Sequence, residues 1–142
     1  MRSDLVGNSV NPVDEKGRVS LPTKYRIPLS GVDLVLTKSD DPLYPYLRLY
    51  SDQDYSQWVD SWFDAEGGYQ ANRREHQRKM LRLKNFVEPA KIDASYRIRI
   101  DPELRSYAQI TDKVKFVGMG DHVSIMSLQV AEQLDNVELY DD

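Results

Sequence analysis

Polar and apolar residues alternate in two short stretches, Arg18-Val19-Ser20-Leu21 and Arg97-Ile98-Arg99-Ile100, with the period of a half-buried strand. An apolar residue and an aspartate lead into each stretch, Val13-Asp14 and Ile92-Asp93. Aspartate at such a place opens a turn, because its carboxylate accepts nearby backbone N–H groups. A proline follows each stretch: Pro22 and Pro102 suit the first turn of a short helix, and Asp101 is expected to cap the second one. The two stretches are copies of one pattern. An offset of 79 residues aligns Val13 with Ile92, Asp14 with Asp93, Arg18 with Arg97, Val19 with Ile98, Leu21 with Ile100, Tyr25 with Leu104 and Arg26 with Arg105.

The repetition continues downstream. Residues 32–36 and 114–117 read as strands, and residues 38–45 and 118–121 as the loops after them. Residues 46–51 then match residues 122–127 at an offset of 76, the lost residues falling in the loop, where length changes are tolerated. Ser51 and Ser127 are both placed as helix N-caps. After Ser51, the residues Tyr55, Trp58, Val59, Trp62 and Phe63 form one apolar helical stripe, suited to core or subunit packing. Gly67-Gly68 is expected to end that helix. Between the repeats, residues 73–84 carry six Lys/Arg against one acid in a composition that favours helix. This segment reads either as a solvated connector or as a strip facing phosphates.

A half of about 50 residues is too small to bury a strong core alone. The expected fold is therefore mainly β with short helices, an α+β class. Two tandem repeats would interlock into one barrel-like body with pseudo-two-fold symmetry, bringing the two Asp-to-Arg turns near each other. The first repeat and its amphipathic helix span residues 5–65, the basic connector helix 66–85, the second repeat 86–135 and an acidic tail 136–142.

Composition narrows the chemistry. The chain has 142 residues, 40% hydrophobic and 30% charged, a normal globular mix. It has no cysteine, which excludes disulfides, thiolate metal sites and a cysteine nucleophile. No run approaches the roughly 20 apolar residues of a spanning helix, and Met1-Arg2-Ser3-Asp4 lacks a signal-peptide core, so a cytoplasmic protein is expected. A net charge of −4 argues against a nucleic-acid partner, but the charge is segregated. Residues 1–30 carry +2, 31–72 carry −6, 73–105 carry +5 and 106–142 carry −5, and local fields matter more than the total. The two histidines, His76 and His122, lack partners at ligand spacing. No phosphate-cradling glycine loop and no isolated carboxylate pair stands out. No metal, no cofactor and no enzymatic activity are expected.

The run Asp14-Glu15-Lys16-Gly17-Arg18-Val19-Ser20-Leu21-Pro22-Thr23-Lys24-Tyr25-Arg26 closely resembles the first signature of the MraZ family. The second half, with Ile110 and Val117-Gly118-Met119-Gly120-Asp121, is similar to that family's second signature, and the resemblance covers residues 5–135. There are departures. Ala94-Ser95-Tyr96 stands where the family usually has Lys or Gln and then Gly before the arginine. Tyr96 must avoid the positive φ that glycine tolerates, or be held there at some cost. Ser124-Ile125-Met126 replaces an acidic-Ile-Trp strand, and the usual Phe and Gly near the start are missing.

The resemblance implies an AbrB/SpoVT-like swapped-hairpin fold and ring-shaped homo-oligomers. It implies a nucleoid-associated transcriptional regulator, usually a repressor, of the bacterial division and cell-wall gene cluster. Such a protein binds repeated elements in double-stranded promoter DNA and involves no membrane and no small-molecule substrate. Arg18 is the expected reader, since a guanidinium recognises guanine through O6 and N7 or clamps a phosphate. Lys16 shares its turn, Gly17 lets the backbone approach the groove, and Lys24 and Arg26 would meet phosphates. Arg97 takes Arg18's place in the second half, with Arg99 on the same strand face. Asp14 and Asp93 would shape the turns. The alternative for Arg18 is a structural ion pair with Asp14, and for Lys24, Arg26 and Arg105 an ordinary solvated position. The alternative for the chain is a structural ring or adaptor of the same fold that has lost DNA binding.

Overall fold

Each repeat contributes four strands. In the computed structural model, which describes residues 2–136, the first repeat supplies β1 (Asn8–Pro12), β2 (Arg18–Ser20), β3 (Leu34–Lys38) and β4 (Leu47–Ser51). The second supplies β5 (Val87–Ala90), β6 (Arg97–Arg99), β7 (Lys113–Gly118) and β8 (Val123–Ser127). The helices are α1 (Thr23–Arg26), α2 (Asp52–Ser61), α3 (Arg74–Asn85), α4 (Pro102–Tyr107) and α5 (Leu128–Asp135), with a 3-10 turn at Asp64–Glu66. The fold is thus mainly strand with short helices. The acidic tail, apart from Asn136, lies outside the described residues.

The repeats exchange strands. β1 of the first half pairs with β7 of the second, β5 of the second pairs with β3 of the first, and β4 meets β8 in the middle, giving the order β1-β7-β8-β4-β3-β5. β2 and β6 form a separate two-stranded ribbon. The registers obey a two-fold relation. Arg48 faces Ser124 at the centre of the sheet and Val19 faces Ile98 at the centre of the ribbon. Asn11 pairs with Val114 as Ala90 pairs with Leu34.

The expected barrel is incomplete. The six-stranded sheet is open, and the ribbon joins its edges only through single bridges, Val13 to Val19 and Ile92 to Ile98. Both edge strands contain a proline, Pro12 and Pro89, which has no N–H to extend a ladder. The third strand also begins later than its apolar run suggested: Val32 is exposed, and Leu34–Lys38 is the stretch that pairs with Ser51–Leu47.

Strand alternation sorts the sheet's two faces. Leu34, Leu36, Leu47, Leu49, Phe116 and Ile125 point inward and pack against Val19 and Ile98 of the ribbon, together with Leu21, Tyr25, Ile100 and Leu104. On the outer face, Tyr50 gathers Tyr55, Val59 and Phe63, with Val35, Met80 and Leu83 at the margin. A second outer group joins Met126 of β8 to Val130 and Ala131 of α5. The basic helix α3 therefore sits on the face of the sheet opposite the ribbon.

The serine caps form as the sequence suggests: Ser51 Oγ accepts from the Asp54 N–H at 3.1 Å and Ser127 Oγ from the Val130 N–H at 3.0 Å. Asp101 takes the N-cap position of α4, yet no side-chain cap bond forms. Its carboxylate turns instead to Arg99, at 3.1 Å. The helix after Ser51 ends at Ser61, short of the glycines, and Gly67 (φ 84°) closes the 3-10 turn beyond it. Of the aromatic stripe, Tyr55, Val59 and Phe63 are buried, whereas Trp62 is 48% exposed.

Candidate nucleic-acid interface

The two Asp-to-Arg turns have one construction. In the first, the Gly17 N–H donates to the Asp14 carbonyl at 3.0 Å and the Asp14 N–H to the Arg18 carbonyl at 2.9 Å. Asp14 Oδ1 accepts from the backbone N–H groups of Lys16 and Arg18, both at 2.9 Å, and Asp14 Oδ2 accepts from Arg18 Nε at 2.7 Å. In the second, the Tyr96 N–H donates to the Asp93 carbonyl at 3.0 Å. Asp93 Oδ1 accepts from the Ser95 and Arg97 N–H groups at 2.8 and 3.0 Å, and Oδ2 from Arg97 Nε at 2.9 Å. The Arg18 backbone N–H, then its guanidinium and the Lys16 N–H, hold the Asp14 carboxyl below the usual carboxylate range, against a smaller opposing effect of desolvation. The Arg97 and Ser95 N–H groups and the Arg97 side chain do the same for Asp93. Hydrogen bonds to the charged form account for both shifts.

Each aspartate thus fixes its arginine by Nε, with the Arg18 and Arg97 side chains half-buried at 33% and 35% exposure. The ion pair foreseen as an alternative for Arg18 is present, and it orients the guanidinium without covering it. Val19 and Ile98 point into the core at 1% and 0% exposure, so Arg18, Ser20, Arg97 and Arg99 occupy the opposite, outer face of the ribbon. Arg18 lies directly across from Arg99, and Ser20 from Arg97. Three of the four positions on that face are arginines. Because the strands run antiparallel, the turns stand at opposite ends of the ribbon, joined by backbone bonds of 2.8 Å from Leu21 N–H to the Tyr96 carbonyl and from Ile100 N–H to the Gly17 carbonyl.

Gly17 is required twice. Its φ is +79°, and a Cβ there would stand 2.6 Å from the Ile100 carbonyl oxygen and 2.8 Å from Arg105 Nε. Tyr96 occupies the matching place with φ +59°, so the second turn keeps the left-handed geometry without glycine. Its ring is 48% exposed, with the Arg26 guanidinium 4.9 Å from the ring centroid.

The other basic residues divide. Lys16 is exposed at the first tip, and Arg99 reaches back toward it, Nε lying 3.4 Å from the Lys16 carbonyl. Arg26 donates to the Leu21 carbonyl at 2.8 Å, and its repeat mate Arg105 to the Ile100 carbonyl at 3.0 Å. Each of these two arginines braces the turn of the opposite repeat. Lys24 Nζ donates to the Asn8 carbonyl at 2.7 Å and remains exposed. Lys24 and Arg26 are therefore not on the outer ribbon face with Arg18. The bracing role of Arg105 escapes the residue pattern, although its alignment with Arg26 was a usable signal.

Both histidines sit among aromatic rings. His122 stacks on Tyr50 with centroids 4.7 Å apart, and burial lowers its pKa against the pull of Asp121. His76 Nδ1 accepts from the Gln70 N–H at 2.9 Å while Nε2 faces Glu66. Among the described residues no cluster of side chains could hold a metal ion, and no helix is long and apolar enough to cross a membrane.

These features define a tandem swapped-hairpin protein whose ribbon presents an arginine face. No protein-family model matches the chain. Curated relatives do. A protein of Coxiella burnetii named transcriptional regulator MraZ is 33% identical over 114 residues, 78% of this chain and 72% of that one. One of Actinobacillus pleuropneumoniae with the same name is 30% identical over 128 residues, covering 86% and 82%. A third, from Mycoplasmoides gallisepticum, is 28% identical over 131 residues, covering 92% and 87%. The chain belongs to the MraZ family.

Proposed function

We propose that the protein is a sequence-specific regulator that binds double-stranded promoter DNA through the outer face of the β2–β6 ribbon, as a repressor of the division and cell-wall gene cluster. The observation that carries this reading is the placement of Arg18, Arg97 and Arg99 on one outer ribbon face, Arg99 exposed and the other two half-buried and each held by an aspartate of its own turn. The name of its relatives, transcriptional regulator, supports it. Arg18 reads guanine or grips phosphate with its terminal nitrogens. Lys16 and Arg99 add positive charge at the same end, and Arg97 grips backbone at the other. Asp14, Gly17 and Asp93 set the turns and do not touch DNA. Lys24 and Arg26 act mainly through the backbone carbonyls they hold, at the border of the contact.

One chain offers few cations, so several copies in a ring would reach repeated elements with a raised effective concentration. The protein works in the cytoplasm, at the nucleoid, as a regulator and not as an enzyme. The test is titration of labelled promoter DNA at two salt concentrations. Binding should weaken steeply with salt and be lost in Arg18→Ala while fold and oligomer size persist. Unchanged binding in that variant overturns the assignment of Arg18. An absence of salt-dependent binding in the unsubstituted protein favours the adaptor reading, which the net charge of −4 and the non-basic tip Ala94-Ser95-Tyr96 support.

A further inference from the structure

The outer face of the sheet holds a cavity that the ribbon chemistry does not use. It lies between β3–β4 and helices α2 and α3, and encloses about 200 Å³. Its floor comes from Thr37 and Arg48, which face each other across the β3–β4 ladder. Its walls include Trp58 and Trp62 of the α2 end and Lys79 and Arg82 of α3.

Thr37 is 3% exposed, and its hydroxyl has no hydrogen-bond partner among the described residues. The Nε of Arg48 is also buried without a partner. Buried polar groups are normally satisfied, so two orphans in residues that line one cavity call for a third party. The rest of the Arg48 guanidinium is held in place: Nη2 donates to Tyr46 Oη at 3.3 Å, and its carbon stands 5.6 Å from the Trp58 ring centroid. Lys79 Nζ stands 3.6 Å above the Trp62 ring. Among the described residues no carboxylate pairs with either cation, whereas Arg82 is already taken by Asp40 at 2.7 Å. Two pre-positioned cations without counter-ions, beside a free hydroxyl and against a wall of two indoles in edge-to-face contact, match an anion attached to a flat body. An arginine edge with a free Nε suits a two-oxygen acceptor. The volume lies below the about 300 Å³ where drug-sized pockets begin, and leaves room for one ring.

We propose that this cavity is a binding site for a small single-ring aromatic anion, a carboxylate or a phosphate ester. Arg48 and Lys79 take the anionic group, Thr37 donates to it, and the ring lies against the tryptophan wall. The site is separate from the ribbon, and its test does not depend on DNA binding.

Trp58 and Trp62 are the only tryptophans in the chain, so intrinsic fluorescence reports on the cavity directly. The full chain is titrated at constant ionic strength with benzoate and with phenyl phosphate, and separately with inorganic phosphate and with phenol. The expected result is a saturable fluorescence change with at least one of the first two, and weaker binding of inorganic phosphate and phenol. Which of the two binds more tightly separates the carboxylate from the phosphate source. Arg48→Gln should weaken that probe about tenfold or more, the scale of a lost charged hydrogen bond. Thr37→Val should weaken it several-fold while leaving the urea midpoint of the free protein unchanged or higher, because the hydroxyl has no partner to lose. Absence of a saturable response to both aromatic anions overturns the proposal. So does unaltered binding in Thr37→Val and Arg48→Gln together. A change of oligomer size in Arg48→Gln without any probe binding would assign the cavity to a neighbouring copy of the chain and would equally overturn it.

Discussion

At one end of the ribbon Gly17 lies under the Arg105 guanidinium, with Lys16 before it and Arg99 across from Arg18. At the other end Tyr96 lies under Arg26, preceded by Ala94 and Ser95, and Ser20 stands across from Arg97. The aspartate bonds that aim the two arginines agree within about 0.2 Å. The turn geometry is therefore set by the aspartate and the strand register, and is reached with glycine at one tip and tyrosine at the other. What differs is the cover. A glycine tip admits a close-lying arginine, whereas a tyrosine tip holds its arginine off by a ring and carries left-handed strain.

The largest effect should come from closing the first gap. Gly17→Ala puts a methyl into the Ile100 carbonyl and the Arg105 side chain at a positive φ, and should destabilise the fold by about 2–4 kcal/mol, read as a fall in urea midpoint. A near-neutral result would mean that the two ends are interchangeable. Next come Arg18 and Arg97, the proposed DNA contacts. Arg18→Ala should lower promoter affinity by about 1–3 kcal/mol, and Arg97→Ala by clearly less, because fewer cations surround it. Equal losses in a binding titration would make the ends functionally symmetric. Tyr96→Gly should change stability by less than about 1 kcal/mol, since relief of backbone strain is offset by the lost ring contact with Arg26 and by glycine's chain entropy. A drop as large as that of Gly17→Ala would show that the tyrosine is indispensable.

The smallest effect concerns acid. Asp14 and Asp93 have depressed pKa values, so their contribution is complete above the ordinary aspartate value and fades as pH falls through the lower folded one. Turn stability should stay flat from neutral pH down to about 4 and weaken only below it. Asp14→Asn and Asp93→Asn should each flatten part of that acid limb in urea melts across pH. Unequal flattening would separate the ends in a way the hydrogen bonds do not.

Much of this was legible in the residues because it is local. The Asp-to-Arg turns, the serine caps and the helical stripe all depend on partners within a few positions of one another. Asp101 failed as a cap because Arg99, two residues earlier, competes for its carboxylate. The apolar stripe runs past the end of α2, because periodicity does not register a switch to a 3-10 turn. The seams of the unfinished barrel depend on how distant strands meet, and no spacing along the chain encodes that; for the bracing of Gly17 by Arg105 the alignment with Arg26 is the one hint. The cavity was hidden for the same reason: Thr37 and Arg48 look unremarkable until β3 and β4 set them face to face.

The strand exchange has a consequence of its own. In a homodimer built from one such repeat, every change at the tip would appear twice, and the bound site would have to be a palindrome. Fusing both copies into one polypeptide removes that obligation. Gly17 and Tyr96 already differ, so under the proposed function a duplex bound at this ribbon has no need to read the same on its two strands.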